Sequence, residues 1–182
     1  TADSLNGIWG SSASDVFAVG HTGTILHYDG RAWTPMSSGT ANWLGGVRGR
    51  SATDVWAVGT VATLHYDGVT WSPISNGTTI TLQGVWGGPG SDAFAVGYAG
   101  TILHYAGDTW GPAGSGTTRW LFGIWGSSAS DVFVVGDSGT IVHYDGSAWS
   151  PMRSGASDPL KGVWGTSATD VFAVGDSGAI LH

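Results

Sequence analysis

Leu5-Asn-Gly-Ile-Trp-Gly10 opens a pattern that runs to Trp43 and then begins again. The same opening returns at Leu44, Leu82, Leu121 and Leu160, so the repeating unit is 38 or 39 residues long. We therefore divide a single domain, 1–182, into units 5–43, 44–81, 82–120 and 121–159 and a partial unit 160–182. Self-similarity at such a fixed period is typical of folds built by stacking one supersecondary unit.

Three further motifs follow the opening motif inside each unit. In the first unit they are Asp-Val-Phe-Ala-Val-Gly (Asp15–Gly20), Thr-Ile-Leu-His-Tyr-Asp-Gly (Thr24–Gly30) and Trp-Thr-Pro (Trp33–Pro35). Short apolar runs bounded by Gly, Asp and Ser predict β-strands joined by tight turns, and Asp-Gly favours a hairpin. Each unit thus predicts four strands, A to D. Proline cannot donate to a β-ladder, so strand D is expected to be the outer edge.

A four-stranded sheet with apolar residues on both faces needs a cover on both sides. Sheets of this kind bury one another when they stand around an axis as the blades of a propeller. The glycines of strand A suit the narrow centre, because they carry no β-carbon. The sequence therefore predicts an all-β, five-bladed β-propeller of four-stranded antiparallel blades, the fifth lacking its outermost strand. A β-solenoid and a β-sandwich are the alternatives.

The stretch Val-Phe-Val-Val-Gly-Asp-Ser-Gly-Thr-Ile-Val-His-Tyr-Asp-Gly-Ser-Ala-Trp (Val132–Trp149) resembles the bacterial neuraminidase repeat, or Asp-box, class. It is most similar to the type found in photosystem II assembly factors and in bacterial surface proteins. The Asp-box is degenerate here, because His27 or His143 stands where the motif has Ser or Thr, and the turn is shorter. The resemblance implies the propeller fold, and propellers of this class serve many roles.

Composition excludes several classes of function. The net charge is −7, every acidic residue is Asp and Lys161 is the only lysine, so nucleic-acid binding is not expected. The chain has no cysteine, which excludes disulfides and thiolate chemistry. It has no apolar stretch long enough to predict membrane insertion. It lacks an initiator Met and a signal peptide, so we expect a mature or excised segment.

A histidine recurs in strand C of every unit, and an aspartate recurs at the start of strand B. Five imidazoles suggest a metal ring, but strand C lies about 10 Å outside the inner strand, too far for ligands that zinc holds at about 2.1 Å. We therefore predict no metal site and no cofactor, and expect each His to form a hydrogen bond inside or beside its own blade. The Asp residues are expected to accept bonds from backbone N–H groups of the turns. The two sets are His27, His65, His104, His143 and His182, and Asp15, Asp54, Asp92, Asp131 and Asp170.

The repeated tryptophans of strands A and D are expected to pack between blades. Arg48 replaces the strand-A tryptophan of the second unit and is expected either to pair with an Asp or to face the axis. Catalysis is not predicted. A sialidase on this fold would need an arginine cluster and a Tyr–Glu pair, whereas this chain has no Glu and its arginines fall at non-equivalent positions.

Binding residues are best sought where the units differ, since repeated residues serve the blade. The D-to-A and B-to-C loops should share one face of the ring. They contribute six candidate ligand-binding residues, which are His21, Asn42, Trp43, Tyr98, Arg119 and Trp120. Aromatic rings beside polar groups are typical of sugar or peptide sites. The alternative is that Trp43 and Trp120 only cap the start of strand A.

The sequence thus favours a non-catalytic binding propeller with a glycan or protein ligand, from an extracellular or cell-surface bacterial protein. The alternative is a structural, duplicated or engineered scaffold without a ligand of its own. We expect a monomer whose ring closes as five blades. Two alternatives are an excerpt of a longer repeat array and self-association through the incomplete fifth blade, whose unpaired edge could pair with another chain.

Overall fold

The computed structural model of the chain describes residues 2–88 and 92–182. These residues form five antiparallel sheets, four of them four-stranded and the last three-stranded, each meandering from strand A to strand D in chain order. The prediction of an all-β propeller with five blades and a three-stranded fifth blade is confirmed. No helix in the described part of the chain is long and apolar enough to cross a membrane.

The strand boundaries repeat closely from blade to blade. Blade 1 contains β1 (Leu5–Ser12), β2 (Asp15–Gly20), β3 (Ile25–Tyr28) and β4 (Trp33–Met36); blade 2 contains β5 (Leu44–Ser51), β6 (Asp54–Gly59), β7 (Thr63–Tyr66) and β8 (Trp71–Pro73). Blade 3 contains β9 (Leu82–Gly87), β10 (Asp92–Gly97), β11 (Thr101–Ala106) and β12 (Thr109–Gly114); blade 4 contains β13 (Leu121–Ser128), β14 (Asp131–Gly136), β15 (Ile141–Tyr144) and β16 (Trp149–Met152). Blade 5 contains β17 (Leu160–Ser167), β18 (Asp170–Gly175) and β19 (Ile180–Leu181).

Strand A is the inner strand of every blade, and successive inner strands pack together. A β-carbon on Gly7 would lie 3.2 Å from the Cα of Gly46, and one on Gly123 would lie 3.2 Å from the Cα of Gly162. These contacts are tighter than ordinary van der Waals contact, so glycine is favoured where strand A lies at the axis. Strand D, with its proline, is the outer edge of blades 1 to 4, as predicted.

Each blade has two apolar faces because side chains alternate along a strand. The face that carries Phe17, Val19 and Ile25 in blade 1 is called the forward face, and the face that carries Leu26 and Tyr28 is called the rear face. The forward face of each of blades 1 to 4 packs against the rear face of the next blade, and the four resulting clusters form the core. Phe17 on the forward face of blade 1, for example, is fully buried by blade 2.

Three of the strand-A tryptophans, Trp9, Trp86 and Trp125, pack between blades, as expected, whereas Trp164 of blade 5 is exposed. A β-carbon on Gly49 would lie 2.4 Å from the ring of Trp9, and Trp125 covers Gly165 in the same way. Arg48 does not form the ion pair with Asp that was one of its two expected roles, at least among the described residues. Its Nε is buried without a hydrogen-bond partner, and burial lowers the pKa of the guanidinium.

The prediction that the fifth blade closes the ring against the first is wrong. Successive inner strands pack against each other from β1 to β17. Among the described residues, β17 and β1 do not pack against each other in this way. Ile8 on the rear face of blade 1 and Ile180 on the forward face of blade 5 are exposed to 69% and 73%. A closed ring would bury both side chains, so the five blades form an open arc.

The B-to-C loops of blades 1, 3, 4 and 5 contain a three-residue 3-10 turn, and the second loop residue has a left-handed backbone in every blade. In blade 2 this residue is Val61, with φ of 53°. The other blades place Thr22, Ala99, Ser138 and Ser177 there. A β-branched apolar residue is costly in this region, whereas asparagine tolerates it.

Val61→Asn is therefore expected to raise the free energy of unfolding by about 1 kcal/mol. Urea unfolding followed by tryptophan fluorescence measures the change. Val69→Asn is the matched control, because Val69 is also an exposed valine but is not among the residues with positive φ. An equal rise in both variants would show that lost surface hydrophobicity, rather than backbone strain, is responsible.

Candidate functional site

The B-to-C loops and the segments that precede strand A lie on one face of the arc, as the sequence predicted. The N–H of Tyr98 donates to the carbonyl of Thr81 at 3.1 Å, and the N–H of Asp137 donates to the carbonyl of Trp120 at 2.8 Å. The equivalent bond from Thr60 to Trp43 measures 2.9 Å. We call this surface the loop face. The C-to-D turns lie on the opposite side, because successive strands of a meander run in opposite directions.

Tyr98 and Trp120 form the most distinct feature of the loop face. Their rings stack with centroids 4.3 Å apart and an angle of 17° between the planes, across the junction of blades 3 and 4. Trp120 is still half exposed. Two stacked rings are rigid and offer a flat apolar surface at little entropic cost, which is typical of residues that dominate binding sites.

Charged side chains of both signs lie next to Trp120 and at the following junction, between blades 4 and 5. Arg119 Nη1 lies 3.9 Å from Asp137 Oδ2, and both groups are exposed. In blade 5, Lys161 Nζ lies 3.5 Å from Asp176 Oδ2 and 4.2 Å from the ring centroid of Phe122. Exposed ion pairs of this kind contribute little to stability, so their groups can exchange partners with a ligand at low cost.

Phe122 and Lys161 were not among the binding residues predicted from the sequence. Both occupy the second position of strand A, where the other blades carry Asn6, Gly45 and Gln83. That position varies inside an otherwise constant motif, and this variation is the signal that could have identified it. Only the folded chain places Lys161 of blade 5 over a ring of blade 4.

The remaining candidates lie around blades 1 and 2. Trp43 is half-buried, and its ring occupies the space that a β-carbon on Gly45 would need. This placement favours the alternative in which Trp43 caps the start of strand A. His21 and Asn42 are exposed. In the described part of the chain, no hydrogen bond, ion pair or ring contact joins these three residues to Tyr98 or Trp120.

The recurring histidine forms a hydrogen bond within its own blade, as predicted. The Nε2–H of His27 donates to Asp15 Oδ1 at 2.7 Å, and the other four His–Asp pairs measure 2.7 to 3.0 Å. Each imidazole also packs on the aromatic ring of strand B, for example Phe17 with centroids 4.5 Å apart. Among the described residues, no group of three or more His, Asp, Glu or Cys could hold a metal ion.

The expected role of the strand-B aspartates is corrected. Asp15 accepts hydrogen bonds from His27 and from the hydroxyl of Ser11, not from turn backbone. The aspartates of the C-to-D turns have that role instead. Asp29 Oδ1, for example, accepts from the N–H groups of Arg31 and Ala32 at 2.9 Å, and these bonds hold the pKa of Asp29 below its usual value. Asp67 and Asp145 repeat the arrangement.

A surface groove of about 800 Å³ borders the loop face at Gly100 and at Thr117 and Thr118, which directly precede Arg119. It runs along the edge strand β12 and the segment 76–78, and no charged side chain lines it. A ligand there would find few groups to fix its orientation. The loop face around Trp120 is therefore the stronger candidate.

No family model matches the chain, and no curated protein matches it. Solved structures do match it. A structure of YCF48 bound to D1 peptide has a TM-score of 0.76 at 15% identity, over 100% of this chain and 64% of that chain. YCF48 from Cyanidioschyzon merolae has a TM-score of 0.73 at 17% identity, over 99% of this chain and 66% of that chain.

The WD40 propeller domain of Doa1 is also similar, with a TM-score of 0.82 at 10% identity over 100% of this chain and 68% of that chain. The chain thus spans less than two thirds of both YCF48 chains. At these identities the likeness shows the fold alone, and the resemblance to the Asp-box class stays a prediction. The comparisons and the strand topology agree that the chain has the fold of a β-propeller.

Proposed function

We propose that the chain is a non-catalytic binding propeller whose loop face holds a segment of another protein over Tyr98 and Trp120. The observation that carries the proposal is the stacked pair, with Trp120 half exposed and flanked by Arg119 and Asp137. A flat aromatic surface between charges of both signs suits a peptide, which offers apolar side chains, backbone polar groups and charges together.

Two further points support a protein ligand. The net charge of −7 disfavours polyanions such as nucleic acids. YCF48, which has a similar fold, has been solved with a bound peptide. A glycan remains the alternative ligand, because sugars also stack on tryptophan. The extracellular or cell-surface location stays a prediction from the sequence.

The test is selection of a displayed dodecapeptide library on the immobilised chain, in parallel with a glycan array. We expect enriched peptides whose affinity falls about tenfold or more in Trp120→Ala, because the exposed half of the stack is lost. Val69→Ala is the control, since Val69 is an exposed apolar residue in a C-to-D turn, on the opposite side of the arc. Its peptide affinity should equal that of the unmodified chain.

Three outcomes would contradict the proposal. Peptides that bind Trp120→Ala as tightly as the unmodified chain would place the site elsewhere. Binding to the glycan array alone, lost in Trp120→Ala, would show a sugar site at the same rings. Silence in both screens would favour the scaffold without a ligand.

A further inference from the structure

Blades 1 to 3 are joined to their successors by the same aromatic interface. On the forward face of blade 1, the ring of Phe17 lies 5.4 Å from Tyr66 and 5.9 Å from Trp71 on the rear face of blade 2. The pattern repeats at the next two junctions, where Trp56 contacts Tyr105 and Trp110, and Phe94 contacts Tyr144 and Trp149. The repeat therefore encodes a forward face and a rear face that are complementary.

The forward face of blade 5 has no blade against it among the described residues. Trp164, Phe172, Val174 and Ile180 are all exposed, with Trp164 at 59%. Their equivalents in blade 1 include Phe17, Val19 and Ile25, which blade 2 buries almost completely. The inner strand shows the same difference, because a β-carbon on Gly162 would meet only Val174 of its own blade.

The rear face of blade 1 is exposed in the same way. Leu5, Ile8 and Trp33 are exposed, whereas their equivalents Leu44, Val47 and Trp71 in blade 2 are buried. Tyr28 and Trp33 already form the aromatic pair that covers the preceding blade elsewhere, with ring centroids 5.4 Å apart. Contiguous exposed apolar surface of this kind marks an interaction site.

We propose that the forward face of blade 5 binds the rear face of blade 1 in a second copy of this chain. The two surfaces are the unpaired halves of an interface whose aromatic contacts the chain builds three times internally, at the junctions of blades 1 to 4. Tyr28 and Trp33 of the second copy would cover Phe172, as Tyr66 and Trp71 cover Phe17. Gly7 of the second copy would meet Gly162, as Gly46 meets Gly7.

The resulting contact is head-to-tail, so each copy uses two different surfaces. Such a contact closes into a ring if the rotations sum to a full turn and otherwise continues as an open assembly. In both cases each copy keeps one complementary surface after the other is blocked. Two variants that are each blocked at a different surface should therefore still bind each other. If the interface joined two identical surfaces, such variants would not pair.

The experiment measures the solution mass of the 182-residue chain by light scattering over a concentration series. We expect the mass to rise with concentration above the 18.6 kDa of one chain. Ile8→Asp blocks the rear face and Ile180→Asp blocks the forward face, and each alone should weaken association at least about 100-fold by burying an unpaired charge. An equal mixture of the two variants should form a dimer and nothing larger, because one good surface of each kind remains.

Val69→Asp is the matched control. It introduces the same charge at an apolar residue that is 78% exposed and lies on neither face. Blade 3 carries Asp108 at the equivalent position, so the change should leave both fold and association unaltered. Circular dichroism checks that all variants fold. A second pair for the mixing experiment is Trp33→Ser, which alters the rear face, and Val174→Asp, which blocks the forward face.

The proposal is overturned if the unmodified chain stays at the mass of one copy at every concentration. It is also overturned if Ile8→Asp alone associates as well as the unmodified chain, or if the mixed variants do not pair. Association that Val69→Asp abolishes as well would point to unspecific aggregation instead.

Discussion

Phe94→Ala is expected to lower the free energy of unfolding by about 4 kcal/mol. The side chain is 1% exposed and contacts His104 of its own blade and Tyr144 and Trp149 of the next. Truncation removes the buried ring and leaves a cavity between two sheets that cannot approach each other, because their inner strands already touch at glycine. Urea unfolding followed by tryptophan fluorescence measures the loss.

The chain contains its own control for this experiment. Phe172 occupies the same repeat position and stacks on His182, with centroids 4.4 Å apart, but it is 37% exposed and no blade covers it. Phe172→Ala should therefore cost only about 1 kcal/mol, since no enclosed cavity forms. The measurement is made at a protein concentration low enough to keep single copies. Equal losses in the two variants would contradict the open arc.

Asp15→Ala is expected to lower the free energy of unfolding by about 2 kcal/mol. The carboxylate accepts bonds from His27 and Ser11, and both it and the imidazole are mostly buried beneath blade 2. Removing it leaves the imidazole N–H without a partner in a site that water reaches poorly, so the desolvation penalty of that donor remains. The same urea experiment gives the value.

Asp170→Ala is the matched control at the open end of the arc. Asp170 accepts from His182 and Thr166 in the same geometry, but both members of its His–Asp pair are well exposed. Water can replace those bonds, so the loss should be much smaller than for Asp15→Ala. An equally large loss of stability in Asp170→Ala would show that the His–Asp hydrogen bond stabilises a blade whether or not a neighbouring blade covers it.

The blade itself could be predicted from the sequence because its determinants are local. Asp-Gly turns, short apolar runs and a proline in strand D specify four strands and their order within one unit. The hydrogen bond between His and Asp in each blade was only partly predicted. A hydrogen bond from each His was expected, but its aspartate partner was not. His27 and Asp15 meet because the register places His27 opposite Phe17, on the face that also carries Asp15.

The binding surface could be predicted only as a set of loops. Tyr98 and Trp120 belong to different units, and their stacking depends on how blade 3 faces blade 4. The contact of Lys161 with Phe122 depends in the same way on the junction of blades 4 and 5. No local pattern encodes these junctions, so Phe122 and Lys161 were missed and the place of Trp43 against Gly45 was not foreseen.

By itself, the repeat that begins at Leu5 determined the four-stranded blade, the order of its strands, the glycine at its centre and the two faces that pack together. Only the tertiary structure decided that five blades leave an open arc. The reason is geometric, because the angle between blades is set by the combined packing of all side chains at each junction. Closure requires those angles to sum to a full turn, which no single unit of sequence specifies.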